Sequence, residues 1–200
     1  MLRVPFFHQT SEASCGPSCL LMVLNFYNPD YGITKKKEWE LWRETCLLAW
    51  RGTHAYGLSA AMLRRGYKVT LIRESKRLWK DVNFPENNDA LEHAIHEQEK
   101  EARELGLEEI IIKDINLQIL SEHIENGIPP IVLTREIEEE NNLGFAHWVV
   151  VTEVNDNYVV INDPHNSGDR KVSKELFLSS INEISKLNNN FSKDVIVVQK

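Results

Sequence analysis

An apolar run near the amino terminus, Cys15–Tyr27, constrains the fold of this chain most strongly. Its sequence, CGPSCLLMVLNFY, is apolar on nearly every face after the first turn. Pro17 suits the first turn of a helix, where a missing N–H costs nothing, and Asn28-Pro29-Asp30 ends the run. A helix that is hydrophobic all round is normally buried. We therefore predict a central helix with the rest of the chain packed around it.

The composition is that of one ordinary globular domain. The chain has 200 residues, of which 42% are hydrophobic and 26% are charged, and domains typically hold about 100–200 residues. We therefore predict a single domain over residues 1–200. The net charge of −7 disfavours nucleic acid as a main partner, because phosphate backbones attract cationic surfaces.

Hydropathy and cysteine usage bear on the compartment. No apolar stretch approaches the ~20 residues that a membrane-spanning helix requires, and the apolar part of MLRVPFFHQT is too short for a signal-peptide core. The three cysteines, Cys15, Cys19 and Cys46, are an odd set, which argues against a disulfide scaffold. No CxxC pair and no metal, nucleotide or haem motif is visible. We expect a cytoplasmic protein without a membrane span, a cofactor or a metal.

The residue pattern predicts mostly helices in the first half and strands in the second. Further helices are predicted at Lys36–Trp50, Leu58–Arg65, Asp89–Leu105 and Ile115–Asn126. Strands are predicted at Tyr67–Ile72, Pro130–Thr134, His147–Val154, Tyr158–Asn162 and Asp194–Val198. The third and fourth of these strands flank Asn155-Asp156-Asn157, which predicts a hairpin. The segregation favours an α+β fold, with a helical half packed on a mainly antiparallel sheet.

Cys15 is the candidate nucleophile. A thiol is a weak nucleophile until it loses its proton, and the N-terminus of a helix favours the thiolate. Cys15 begins the buried helix, whereas Cys19 lies one turn inside it. Gly16 beside it would leave room for a substrate backbone. Taken alone, Cys15 could equally be a small hydrophobic residue of the core, so the assignment depends on its partners.

His147 and Asp163 are the candidate partners. His147 opens a strongly apolar strand, and Asp163 follows 16 residues later, across the predicted hairpin. Because a hairpin folds the chain back on itself, these residues are expected to lie close together. Asp163 can then accept the second ring N–H of His147 and fix its tautomer. Gln9, six residues before Cys15, could join the Cys15 backbone N–H in an oxyanion hole.

Two segments resemble motifs of a known family. VPFFHQTSEASCGPSCLLMVLNFY is similar to the nucleophile motif of the C39-type and C39-like peptidases, a clan within the papain-like cysteine proteinases. GFAHWVVVTEVNDNYVVINDP is similar to the histidine strand, hairpin and Asp-Pro motif of that family. The resemblance implies a papain-like fold, with Cys15 as nucleophile, His147 as base, Asp163 as orienting carboxylate and Gln9 as oxyanion-hole residue.

The resemblance leaves part of the chain unassigned. It covers the first 30 residues and residues 127–176, but not the middle segment 34–112. We treat that segment as a helical insertion or variable part, which either builds the substrate pocket or docks a partner. The best-known family members are leader-peptide proteases fused to transporters. This chain shows neither a transmembrane region nor a nucleotide-binding domain, and resembles the stand-alone members instead.

Three functions remain open from the sequence. The first is a cysteine hydrolase that cleaves a peptide or amide bond through a thioester. The others are an acyl or peptidyl transferase with the same residues, and a non-catalytic peptide-binding module of the same fold. Gly16, Ala146 and Trp148 are the expected substrate contacts. The acidic run Glu136–Glu140 is either a solvated loop or a lid that attracts a basic substrate.

Overall fold

The computed structural model describes residues 1–47, 51–74, 88–137, 143–187 and 192–200. Its α-helices are α1 (Cys15–Tyr27), α2 (Lys35–Thr45), α3 (Ala55–Leu63), α4 (Asn88–Glu104), α5 (Leu117–Glu125) and α6 (Lys174–Asn182). Its strands are β1 (Lys68–Arg73), β2 (Glu108–Ile111), β3 (Ile131–Ile137), β4 (Leu143–Val154), β5 (Tyr158–Asn162), β6 (Arg170–Ser173) and β7 (Asp194–Gln199). Short 3₁₀ turns lie at Pro29–Tyr31 and Ile184–Lys186.

The described strands form one sheet in the order β2-β1-β7-β3-β4-β5-β6. Strand β1 pairs in parallel with β2, and the other neighbouring strands pair antiparallel. The predicted α+β fold with a mainly antiparallel sheet is confirmed. The middle segment 34–112 is not purely helical, because it also supplies β1 and β2 at one edge of this sheet.

Both faces of the sheet are covered by helices. Alternate strand residues separate into two apolar clusters, as the two-residue period of a strand requires. One face packs against α1, α3 and α4, and the other packs against α5 and α6. Helix α1 is buried from Cys15 to Leu24. This is the central position that its apolar sequence predicts.

The hairpin of β4 and β5 forms as predicted and sets the geometry of the candidate site. The register pairs Val150 with Asn162, and a bulge interrupts it between Val151 and Glu153. If this register is continued by one residue, Asp163 lies opposite Val149. Because residues two apart on a strand share a face, Asp163 is then a diagonal neighbour of His147.

Several elements differ from the sequence prediction. Helix α2 ends at Thr45, and Cys46 forms an isolated bridge with Thr53. The rest of the predicted helix, residues 48–50, lies outside the described residues. The sequence analysis did not predict β2, β6 or α6. Among the residues that the structure describes, every helix is too short or too polar to cross a membrane.

Candidate active site

His147 joins the other two predicted site residues. Its ring atom Nε2 lies 2.8 Å from Oδ1 of Asp163. The Cys15 side chain is a hydrogen-bond partner of the same ring. Because Nε2 faces Asp163, Nδ1 is the ring nitrogen left for the thiol. All three residues are buried, with His147 only 4% exposed. The structure therefore brings together a thiol, an imidazole and a carboxylate from α1, β4 and the end of β5.

The electrostatics of this group favour a charged imidazolium. Burial of the ring opposes protonation of His147, but the hydrogen bonds and charges of Asp163 and Cys15 outweigh it and raise the pKa of His147 to about 10. An imidazole with a raised pKa readily takes a proton from a neighbouring thiol. The arrangement therefore places a strongly basic imidazole beside the Cys15 thiol.

Asp163 lies in a dense set of donors. It accepts bonds from the His165 backbone N–H at 3.1 Å, the Asn166 side-chain amide at 2.9 Å and the Arg170 guanidinium at 2.8 Å. Burial would raise its pKa, but the bond from His147 and these further donors hold the pKa of Asp163 well below its usual range. The carboxylate therefore stays ionised while it orients the ring.

The three cysteines differ in their positions relative to the amino end of α1. Cys15 is the first residue of the helix, where unpaired backbone N–H groups point outward. Cys19 lies in the core and donates its thiol to the Trp148 carbonyl oxygen at 3.3 Å, and burial raises the pKa of Cys19 well above its usual value. Burial also raises the pKa of Cys46, which is partly exposed. Cys15 alone of the three has a histidine partner within the described residues.

The segment that carries Gln9 is held beside the turn after β5. The Gln9 backbone N–H donates to the Pro164 carbonyl oxygen at 2.8 Å, and the Asn162 side chain donates to the Val4 carbonyl oxygen at 3.0 Å. The Gln9 side chain is 7% exposed, and its Oε1 has no hydrogen-bond partner among the described residues. This oxygen is an acceptor, and the donor that an oxyanion would need is the Nε2 group of the same amide.

The expected substrate contacts are differently placed. A Cβ at Gly16 would overlap Thr53 Oγ1 and lie 3.1 Å from the Leu58 methyl groups, so this glycine permits the close packing of α1 against this part of the chain. Trp148 is buried, and its indole N–H donates to the Thr53 carbonyl oxygen at 3.3 Å. Both Gly16 and Trp148 are buried. Ala146, next to His147, is half-buried.

The described part of the acidic run lies near His147. The Glu136 carboxylate contacts the ring of His165, and that ring lies 6.3 Å from the ring of His147 between centroids. On the same strand as His147, Phe145 is 82% exposed. The remaining acidic residues, 138–140, lie outside the described residues. Glu136 thus lies near His147 through His165, and the alternatives of a solvated loop and a lid for the acidic run both stay predictions.

Sequence analysis missed the residues that support this site. Arg170 and Asn166 bind Asp163, and Glu38 binds the loop before Cys15. Asn166 and Arg170 follow Asp163-Pro164 closely in the sequence. A turn at this point could therefore have suggested them as partners of Asp163. Glu38 lies in a charged helix sequence, KKKEWELWRE, which gives no sign that one of its carboxylates is buried.

The fold is α+β, and its buried helix brings a cysteine to a histidine and an aspartate of the sheet. A comparison with family models identifies the family of this chain. Residues 4–189 match the model described as the Peptidase_C39 like family. The chain belongs to this family, as the resemblance of its two motifs implied.

Two solved structures are similar to this chain at low sequence identity. A double glycine motif protease from an AMS/PCAT transporter, crystallised with the leader peptide, is 17% identical, with a TM-score of 0.48 over 99% of this chain and 92% of the other. A C39-like peptidase from Bacillus anthracis is 16% identical, with a TM-score of 0.49 over 99% of this chain and 96% of the other. No curated protein matches the chain in sequence.

Proposed function

We propose that this chain is a cysteine hydrolase that cleaves a peptide or amide bond through a thioester intermediate. One observation carries the proposal: the His147 ring lies between the Cys15 thiol and the Asp163 carboxylate, and its pKa is raised to about 10. A thiol and a carboxylate on the two nitrogens of one imidazole are the partners that thiol activation requires. Membership of a peptidase-like family supports the same activity.

In the first half of the reaction, His147 accepts the Cys15 proton and the thiolate attacks the substrate carbonyl carbon. The carbonyl electrons move to oxygen, and the Cys15 backbone N–H and the Gln9 side-chain amide donate hydrogen bonds to that oxyanion. The intermediate then collapses, the C–N bond breaks, and the leaving amine takes the proton from His147. A thioester on Cys15 remains.

In the second half, His147 accepts a proton from water as the hydroxyl attacks the thioester carbonyl. Collapse of this second intermediate breaks the C–S bond and releases a carboxylic acid. The proton returns from His147 to the Cys15 sulfur, and the resting state is restored. Asp163 remains ionised throughout and keeps the ring in one orientation.

The test needs a probe that does not depend on the natural substrate. p-Nitrophenyl acetate reports acylation of a thiol by a burst of nitrophenolate, and mass spectrometry locates the acetyl group. We expect one acetyl group per chain, on Cys15, and no burst in Cys15→Ala. The matched control is Cys46→Ala, which removes a partly exposed thiol and leaves the burst unchanged. Acetylation spread over Cys46, or an equal burst in Cys15→Ala, would overturn the proposal.

A panel of fluorogenic peptidyl amides then tests peptide cleavage. Pairs that differ only in lysine or glutamine at one position test whether Glu136 and the acidic run favour a cationic substrate. A kcat/KM ratio near one in every pair at low salt would remove that preference. Added amines that capture the acyl group in place of water would assign the chain to acyl transfer instead of hydrolysis.

A further inference from the structure

Glu38, on α2, is a fully buried carboxylate at the amino end of α1. It is 0% exposed. Its Oε1 accepts bonds from the Thr10 backbone N–H at 2.9 Å, the Ser14 hydroxyl at 2.7 Å and the Ser18 hydroxyl at 2.9 Å. Its Oε2 accepts a bond from the Thr10 hydroxyl. Both carboxylate oxygens of Glu38 therefore accept hydrogen bonds from α1 or from the loop that precedes it.

The environment of Glu38 is unusual for a buried charge. Across the described ranges of the chain, no lysine or arginine forms an ion pair with it. Burying a carboxylate without a cation is costly unless hydrogen bonds satisfy it, and a well-packed apolar residue often stabilises a fold at least as well. An apolar residue at position 38 would, however, leave the Thr10 backbone N–H without its acceptor. The carboxylate therefore contributes specific geometry in addition to any stability.

The donors of Glu38 belong to the two segments that carry the proposed oxyanion-hole groups. Thr10 directly follows Gln9, whereas Ser14 directly precedes Cys15 and Ser18 lies one turn further along α1. One carboxylate thus ties the Gln9 side of the loop to the Cys15 side.

The pair formed by His147 and Asp163 is held by other contacts. Strands β4 and β5 position both residues, and Asn166 and Arg170 fix the carboxylate. Glu38 makes no hydrogen bond with any of these residues. Removing Glu38 should therefore loosen the oxyanion donors while the thiol and imidazole remain together.

We propose that Glu38 is a positioning residue that holds Gln9 and the Cys15 N–H at the spacing an oxyanion requires. The inference rests on the proposed function. It also gives a role to the middle segment 34–112. Helix α2 belongs to that segment, and its Glu38 supports the loop between Gln9 and Cys15.

The glutamine variant separates geometry from charge. In Glu38→Gln, the amide oxygen can accept the three bonds now made to Oε1, and the amide nitrogen can donate to the Thr10 hydroxyl, since a hydroxyl also accepts. Glu38→Ala removes every one of these bonds. We expect Glu38→Gln to retain acylation by p-nitrophenyl acetate, and Glu38→Ala to lose up to about 10²-fold, comparable with the loss of one oxyanion-hole donor.

A second readout separates positioning from a general structural role. Iodoacetamide alkylates a thiolate without forming an oxyanion, so its rate at Cys15 reports the thiol–imidazole pair alone. We expect the alkylation rate of Glu38→Ala to stay within about threefold of wild type while acylation falls, as expected of a group that acts on the transition state only. The control is Glu40→Ala, an exposed acid on the same helix, which should change neither rate.

A double-variant cycle tests whether Glu38 affects acylation by positioning Gln9. If Glu38 acts through Gln9, then Glu38→Ala combined with Gln9→Ala should acylate no more slowly than Gln9→Ala alone, because coupled residues are not additive. Additive losses would show that Glu38 does not work through Gln9. Parallel loss of acylation and alkylation would reduce Glu38 to a structural residue.

The remaining outcomes also decide the question. A wild-type chain without a Cys15-dependent burst overturns the proposed function and this inference with it, whereas an active wild type with an unchanged Glu38→Ala overturns the inference alone. If Glu38→Ala does not fold, Thr10→Val and Ser18→Ala each remove one hydroxyl donor. The inference then requires slower acylation with retained alkylation in Thr10→Val, and equal rates in that variant and wild type would overturn it.

Discussion

At the scale of single residues, Asp163 accepts hydrogen bonds from more groups than the His147 ring. Its five hydrogen bonds come from His147, His165, Asn166 and Arg170, and all of them favour its charged form. A neutral group at this position would lose both the orientation of the imidazole and its electrostatic support. The raised pKa of His147 therefore depends on this carboxylate.

Asp163→Asn tests that dependence. The amide keeps the shape of the side chain but removes the charge, so the pKa of His147 should fall toward its ordinary value and less thiolate should form near neutral pH. We expect acylation to fall by about 10⁴-fold, the loss typical when the orienting carboxylate becomes an amide. The rise of the alkylation rate of Cys15 with pH should also move to higher pH.

The control for this variant is Asn166→Ala, which removes one peripheral donor to Asp163. It should lower the acylation rate much less than Asp163→Asn, because the carboxylate and its bond to His147 remain. Equal pH profiles of Asp163→Asn and wild type would show that the carboxylate does not control the ring.

The sequence could reveal the candidate site residues but not their supports. Cys15 and Asp163 stand at element ends that local patterns predict, a helix start and the turn after a hairpin. His147, predicted to open a strand, instead lies inside β4, which begins at Leu143. Glu38 and Arg170 are typical surface residue types in polar segments. Their burial or pairing depends on which elements meet in space, and no local pattern encodes that.

At the scale of elements, the contact between α1 and the chain before α3 depends on Gly16. A Cβ there would overlap Thr53 Oγ1 and press on the Leu58 methyl groups. Both neighbours are buried, so neither can move away freely. The glycine therefore sets how closely α1 approaches this part of the helical half.

Gly16→Ala should destabilise the fold by about 1–3 kcal/mol through overpacking. Thr53→Ala removes the atom that is overlapped, so the double variant should recover part of the loss in spite of the cavity that Thr53→Ala creates alone. Urea unfolding of the two single variants and the double variant measures this coupling. Losses that simply add would show that the two side chains do not meet.

Two of the three elements that the sequence analysis did not predict have weak local sequence patterns. Strand β2, Glu108–Ile111, lies at the sheet edge with mostly exposed residues, and β6, Arg170–Ser173, buries only Val172. Short edge strands of this kind show no clear alternation. Helix α6 was recognisable in principle, because Ser173 caps it and Phe177 and Ile181 are spaced by four.

At the scale of the whole molecule, the candidate site exists only where the helical half meets the sheet. Cys15 comes from α1, His147 and Asp163 come from the β4–β5 hairpin, and Gln9 comes from the segment that crosses between them. The free energy of folding thus includes the interactions within the site. Its titration should be visible in the pH dependence of global stability.

His147 determines the sign of that dependence. Burial opposes protonation, but Asp163 and Cys15 raise the pKa of His147 from 6.5 to about 10. A group whose pKa is higher in the folded than in the unfolded state stabilises the fold fully below the unfolded value, and this stabilisation is lost as the pH rises through the folded value. The contribution of His147 is therefore complete below pH 6.5 and decreases toward pH 10.

Urea unfolding of wild type and His147→Gln across this interval measures the contribution. The difference between their free energies of unfolding should be largest at pH 6 and should shrink steadily toward pH 10. At the acid end Asp163 has the opposite sign, because its pKa is lowered from 3.8. Its stabilisation is present above that value and is lost as the pH falls below it. A difference between wild type and His147→Gln that stays constant from pH 6 to pH 10 would contradict the charged imidazole on which the thiolate depends.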